Sequence, residues 1–244
     1  MNDALINKVL NPPDGGPGAW LSDLAALFLP RRCAGCDTAL MRFEPGLCLG
    51  CLSDLPQTRF HEDPDNPVEQ LFRGKVPLAS ASAFLYFYRS GSVQHMLHRL
   101  KYKHDRDIGL LLGRMMGEVL KTSPRFATVD TLVAVPLHPR KERARGYNQS
   151  QVIIEGMLRT WPLAAPRHAL VRTTATRSQT RKGRLERWRN VKEVFTVRDH
   201  TELAGRHVLL VDDVVTTGST LEACALALLA LPGTRVSVFT AACA

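Results

Sequence analysis

The chain has 244 residues, 45% of them hydrophobic, which is enough for a full apolar core and suits one ordinary domain with a small appendage. Lysine and arginine outnumber the acids 32 to 23, a net charge of +9, which points to an anionic partner. No stretch is long and apolar enough to cross a bilayer, and residues 19–29 follow a Pro/Gly-rich rather than a cationic stretch, so no membrane insertion and a cytoplasmic location are expected.

Residues 1–18 contain NPPDGGPG and are expected to be disordered. Residues 20–29 read as a short amphipathic helix that docks onto the main domain or onto the module that follows it. That module, residues 19–56 with the helix included, carries Cys33, Cys36, Cys48 and Cys51 in the spacing C-x₂-C-x₁₁-C-x₂-C. Four thiolates so spaced suit a structural Zn²⁺. Two disulfides are the competing arrangement, disfavoured by the paired C-x₂-C steps and by the lack of a secretion signal. Residues 57–79 form a connector rich in proline and charge. From residue 80 onward strands alternate with helices. Strands are expected at 80–88, 131–135, 207–211 and 235–241, and helices at 93–103, 108–120, 149–160 and 221–231, with 163–171 irregular or a short strand. This order specifies an α/β fold with a parallel sheet and ligands bound beyond the C-terminal ends of its strands. Cys224 and Cys243 read as small core residues.

The strand at 207–211 is aliphatic from Val208 to Val211, with no polar alternation, so both its faces should be buried. Asp212 and Asp213 are expected to leave the core together. Behind them Thr216, Thr217, Gly218, Ser219 and Thr220 empty into a helix N-terminus, where free N–H groups and the dipole favour an anion. A phosphate suits the loop, and the two carboxylates suit neighbouring hydroxyls or a hydrated Mg²⁺. A second strand end, at Val135, meets Pro136, Leu137 and His138 and then Arg140, Lys141, Arg143 and Arg145, expected to crowd a loop ahead of the next helix. Between Arg167 and Lys192 nine basic residues face the single acid Glu186, among them Arg177, Arg181, Lys182, Arg184 and Arg187 around Trp188. A solvated face, a flap over a polyphosphate and a track for nucleic acid are the three readings of this run. Trp188 is either a stacking surface or a core anchor.

The four aliphatic residues, the Asp-Asp pair and the Thr-Thr-Gly-Ser-Thr loop resemble the phosphoribosyl pyrophosphate (PRPP) motif of type I phosphoribosyltransferases. That resemblance implies that Asp212 and Asp213 bind the ribose hydroxyls and that Thr216, Thr217, Gly218, Ser219 and Thr220 grip the 5′-phosphate. It further implies that Pro136, Leu137, His138, Arg143 and Arg145 form a pyrophosphate loop. Over residues 20–244 the order of features is similar to the ComF family of competence proteins: LxxLFLPxRCxxC at Leu24 to Cys36, the second CxxC at Cys48 and Cys51, and LKY at Leu100 to Tyr102. RGYNQS at Arg145 to Ser150, then Thr176, Gln179 and ERxxN at Glu186 to Asn190, and VDDVVTTGST complete it. The segment TRSQTRKGRLERWRN is more basic than that family pattern. The resemblance implies a type I phosphoribosyltransferase-like parallel sheet with helices on both faces over residues 80–244, preceded by a small N-terminal zinc module. It also implies PRPP with Mg²⁺ as ligand, and single-stranded DNA and the competence machinery as partners. Two functions follow from it. One is a PRPP-binding protein that handles single-stranded DNA during natural transformation. The other is an active PRPP-dependent transferase acting on an unidentified nitrogenous base, with Asp212 and Asp213 in the catalytic site and the basic run as its flap. A third role, protein docking, is open to the DTALMRFEPGL insert between Cys36 and Cys48.

Overall fold

The computed structural model of the chain describes residues 31–172, 194–198 and 200–244. The expected disorder at 1–18, the helix at 20–29 and most of the basic run, with Arg177, Arg181, Lys182, Arg184, Arg187 and Trp188, lie outside the described residues. Four parallel strands form the main sheet: β1 (Ser80–Tyr86), β2 (Thr131–Ala134), β5 (His207–Val215) and β6 (Arg235–Cys243), in the order β1-β6-β5-β2. A separate antiparallel pair, β3 (Leu170–Arg172) with β4 (Phe195–Val197), brackets the basic run in sequence. The central strands β5 and β6 are buried on both faces: β5 through the aliphatic run Val208 to Val211, and β6 with the small polar residues Ser237 and Thr240 among apolar ones.

Each face of the sheet has its own apolar layer. On one, Leu209, Val211 and Phe239 meet α3 (Ser92–Tyr102), α4 (Arg106–Leu120) and α6 (Gln149–Met157). On the other, Val208, Leu210 and Val238 meet α8 (Ser219–Leu229) and α2 (Pro67–Gln70). Helices therefore cover both faces, as the family resemblance implied. Helices α4 and α6 pack closely because Gly113 and Gly156 face each other, and a methyl on Gly113 would lie 2.8 Å from the Gly156 Cα. Any side chain there would force the two helices apart.

The four-cysteine segment is not a satellite. Cys33, Ala34, Leu47 and Leu52 belong to the same apolar cluster as α3, α4 and α6. Burying Leu47 and Leu52 there contributes roughly 1.5–3 kcal/mol each. A short helix within its described residues, α1 (Leu49–Ser53), is capped by Cys48, whose Sγ accepts from the Cys51 N–H at 3.4 Å.

Three expectations are corrected. Residues 139–145 do not form a loop but a helix, α5 (Pro139–Arg145), so Arg143 and Arg145 project from its last turn. Its signals were in plain view: His138 as N-cap, Pro139 at the first position, Glu142 in the first turn and Gly146 as a left-handed stop. Asp212 and Asp213 do not leave the sheet, because β5 runs on to Val215, with Asp212 opposite Thr240 and Val214 opposite Ala242 on β6. Helix α6 ends at Met157 rather than at residue 160, because the chain tightens there into turns, with the Arg159 N–H donating to Gly156 at 3.2 Å and the Thr160 N–H to Met157 at 3.0 Å.

Candidate functional site

The Asp-Asp pair sits where four elements converge. Asp212 is half-buried and Asp213 only 9% exposed. One oxygen of Asp212 accepts from the Ser150 hydroxyl on α6 and from the Asp213 N–H, both at 2.9 Å. Lys101, near the end of α3, brings its ammonium to 3.0 Å from Asp213 Oδ2. Burial, and then the neighbouring Asp213 charge, push the Asp212 carboxyl up to about 7, while Asp213's N–H, Ser150 and Lys101 pull the other way.

Beyond Val215 the chain turns into α8. Gly218 takes φ +75° as the residue ahead of the helix and offers no side-chain cap, so the first-turn N–H groups lack an intrahelical acceptor. A side chain there would strain the backbone, and its Cβ would stand 3.0 Å from the Phe72 ring. Thr217 and Ser219 hydroxyls lie 3.1 Å apart on the rim. A cavity of about 70 Å³ is lined by Asp212 and residues 214–221, so carboxylate, hydroxyls and helix N-terminus open into one space. Such a lining can hold an anion at the helix end and donate to or accept from a polyol beside it.

The RGYNQS string assembles this convergence. Tyr147 donates its hydroxyl to the Leu100 carbonyl at 2.6 Å, fixing the backbone one residue before Lys101. Asn148 caps α6 by accepting from the Ser150 N–H at 3.0 Å, and its amide donates to the Val135 carbonyl at 2.9 Å. Gln149 receives Arg145 at 2.9 Å. Val135 in turn donates to Val211 at 2.9 Å, so the exit of β2, with Pro136 and Leu137, lies beside Asp212. His138 accepts from the Arg140 N–H at 3.2 Å and so serves as a helix cap. Arg143 donates to the Pro139 carbonyl at 3.4 Å. A larger cavity of about 470 Å³ opens between this exit, α6 and the β3–β4 pair, lined by Pro136, Leu137, Gln151 and Arg172 among others. Its size suits a nucleotide-sized group.

Cys33, Cys36, Cys48 and Cys51 bring their sulfurs within 4.8 Å of one another, a set that can hold a metal ion. N–H groups of Gly35 and Cys48 each donate to Cys33 Sγ at 3.3 Å, as they would to a thiolate ligand. The Thr38 hydroxyl, 3.2 Å from Cys36 Sγ, helps hold that thiol down to about 6, whereas burial and the adjoining cysteines push Cys51 up. Thiols so close cannot all ionise without a cation among them. Glu44, 5% exposed, accepts from the N–H groups of Met41 and Leu49 at 2.7 and 2.9 Å and shapes the loop between the cysteine pairs. Arg99 on α3 donates to the Cys33 and Arg32 carbonyls at 3.0 and 3.2 Å and pairs with Asp105 at 2.6 Å.

Glu44, Arg99, Lys101 and Ser150 were not singled out as site residues from the sequence. Lys101 and Ser150 stood inside strings noted only for resemblance, and nothing in spacing alone brings them to the Asp pair. Among the described residues no helix is long and apolar enough to cross a membrane.

A parallel α/β sheet with an acidic strand end running through a hydroxyl-rich turn into a helix defines the class. Residues 151–241 match the phosphoribosyl transferase domain. The chain is 32% identical to competence protein ComFC of Bacillus subtilis over 209 residues, 84% of this chain and 82% of that one. It therefore belongs to the ComF family. It is also 36% identical over 129 residues to the DNA utilization protein YhgH of Escherichia coli, and 28% identical over 130 residues to competence protein F of Haemophilus influenzae. Those two matches take in 52% of this chain and span only 56% and 57% of the relatives' lengths.

Proposed function

We propose that this chain binds PRPP with Mg²⁺ at the Asp212–Thr220 turn and acts in the handling of single-stranded DNA during competence. The observation that carries the ligand is the common cavity in which Asp212, the Thr216–Thr217 hydroxyls and the open end of α8 meet. The 5′-phosphate would take the N–H groups ahead of α8, and Asp212 and Asp213 the ribose hydroxyls or the hydrated metal. Relatives named for competence and for DNA utilization support the cellular role, and the net charge of +9 supports a polyanionic partner. The four cysteines would hold a structural Zn²⁺, since a closed thiolate set leaves no open coordination position for chemistry.

An active transferase remains the second reading, favoured by the 470 Å³ cavity beside the β2 exit, which has room for a base. There, positioned cations would stabilise a pyrophosphate leaving group. The test titrates Mg²⁺–PRPP and oligo(dT) against wild type, against Asp212→Asn with Asp213→Asn, and against a variant with Arg181, Lys182 and Arg184 neutralised. The first variant is expected to lose PRPP and keep DNA. The second is expected to weaken DNA with a shallower salt dependence. Lack of oligo(dT) binding by wild type at low salt removes the DNA role. Pyrophosphate release with a candidate base selects the transferase.

A further inference from the structure

Tyr102 closes α3 with 61% of its surface exposed, one residue beyond the lysine that meets Asp213. A guanidinium and an imidazole stand beside its ring. The Arg145 guanidinium stands 5.2 Å from the ring centroid, and the His98 ring 4.9 Å away. Alongside, Arg106 lies 5.3 Å from the Tyr147 ring, with His104 at its edge, 6.4 Å away. The Arg145–Gln149 and Tyr147–Leu100 hydrogen bonds hold both pairs, so the arrangement is fixed before any ligand arrives. Residues 98–107 and 138–146 carry eight lysines and arginines against three acids, although Arg99 and Lys101 are engaged by Asp105 and Asp213. Lys103, Arg140, Lys141 and Arg143 among them are exposed.

An exposed aromatic ring set among cations is the pattern that receives unpaired bases on its face and phosphates around its edge. A duplex, with its bases stacked on one another, offers this ring nothing to stack on. We propose that the Tyr102–Arg145 face contacts single-stranded DNA, with one base stacked on Tyr102 and the flanking phosphates held by Lys103 and, one turn from Arg145, Lys141. The proposal rests on the single-stranded DNA reading above and assigns that contact to the end of α3, next to the Lys101 that meets Asp213.

The experiment measures fluorescent oligo(dT), oligo(rU) and duplex DNA binding by the full chain, with melting temperature as the fold control. Tyr102→Ala is expected to weaken oligo(dT) roughly tenfold or more, and to leave the duplex unchanged, because a stacked base is worth about 1–3 kcal/mol. Tyr102→Phe keeps the ring and is expected to bind within about twofold of wild type, since stacking uses the ring face. Lys103→Ala with Lys141→Ala should flatten the salt slope by about 1.4, at about 0.7 per phosphate on a single strand. If wild type binds oligo(dT) and Tyr102→Ala binds it as well, this face is wrong while the DNA role stands. Equal losses on duplex and single strand, or tighter binding of oligo(rU) than of oligo(dT), also overturn it. If wild type binds no oligo(dT), the role itself falls.

Discussion

The raised Asp212 carboxyl ties ligand binding and stability to pH in opposite directions. Its shift from 3.8 to about 7 means that ionising it in the folded chain costs about 4 kcal/mol, at 1.36 kcal/mol per unit. The folded state therefore holds an extra proton between about pH 4 and 7, and stability falls as pH rises through that window. A ligand that needs the ionised carboxylate behaves the other way. Mg²⁺–PRPP binding should strengthen as pH rises towards 7 and level off above it. Calorimetric titration at pH 6, 7 and 8 reads this directly. PRPP's own phosphates also titrate near 6, so Asp212→Asn is the control that keeps the ligand's share and removes the protein's. Asp212→Asn should bind weakly with a shallower pH slope, and should melt several degrees higher than wild type at pH 8. Lys101→Met removes the cation 3.0 Å from Asp213 and should move the binding midpoint to higher pH, weakening binding at pH 7. Equal pH slopes in wild type and Asp212→Asn, or no gain in melting temperature at pH 8, would refute the assignment of the raised carboxyl.

Gly218→Ala places a side chain at φ +75° against Phe72, a strain of about 1–3 kcal/mol, and should lower the melting temperature by a few degrees while abolishing measurable Mg²⁺–PRPP binding. Stripping metal with a chelator, or Cys48→Ser, should lower the melting temperature of the whole chain in one transition, because Cys33, Leu47 and Leu52 share the main core. A separate early transition in scanning calorimetry would contradict that. Arg99→Ala removes the donor to the Cys33 and Arg32 carbonyls and leaves Asp105 without its partner. It should release bound metal faster in a colorimetric chelator assay, whereas Arg99→Lys should recover the rate only in part, lacking the forked donors.

The parallel sheet was legible because strand-like segments alternate with helical ones and β5 carries an unbroken aliphatic run, and the cysteine cluster because ligand spacing is local. The Asp212–Thr220 turn was legible for the same reason: strand, carboxylates, glycine and helix follow one another without a gap. What could not be read were partners brought together by packing. Ser150 reaches Asp212 across 62 residues and Lys101 reaches Asp213 across more than 100, with no local signal for either contact. The extension of β5 through both aspartates escaped for a related reason. Acidic residues at the end of an apolar run read as an exit, whereas pairing with the nine-residue strand β6 keeps them in the sheet. Helix α3 shows what these hidden contacts accomplish. Arg99 holds the cysteine segment, the Leu100 carbonyl is held by Tyr147, and Lys101 holds Asp213, so three consecutive residues connect the four-cysteine cluster to the acidic pair. A shift of the cysteine segment that displaced Arg99 would also move the ammonium that opposes the rise in the Asp212 carboxyl. One turn of helix thus makes contact with both the cysteine segment and the acidic pair.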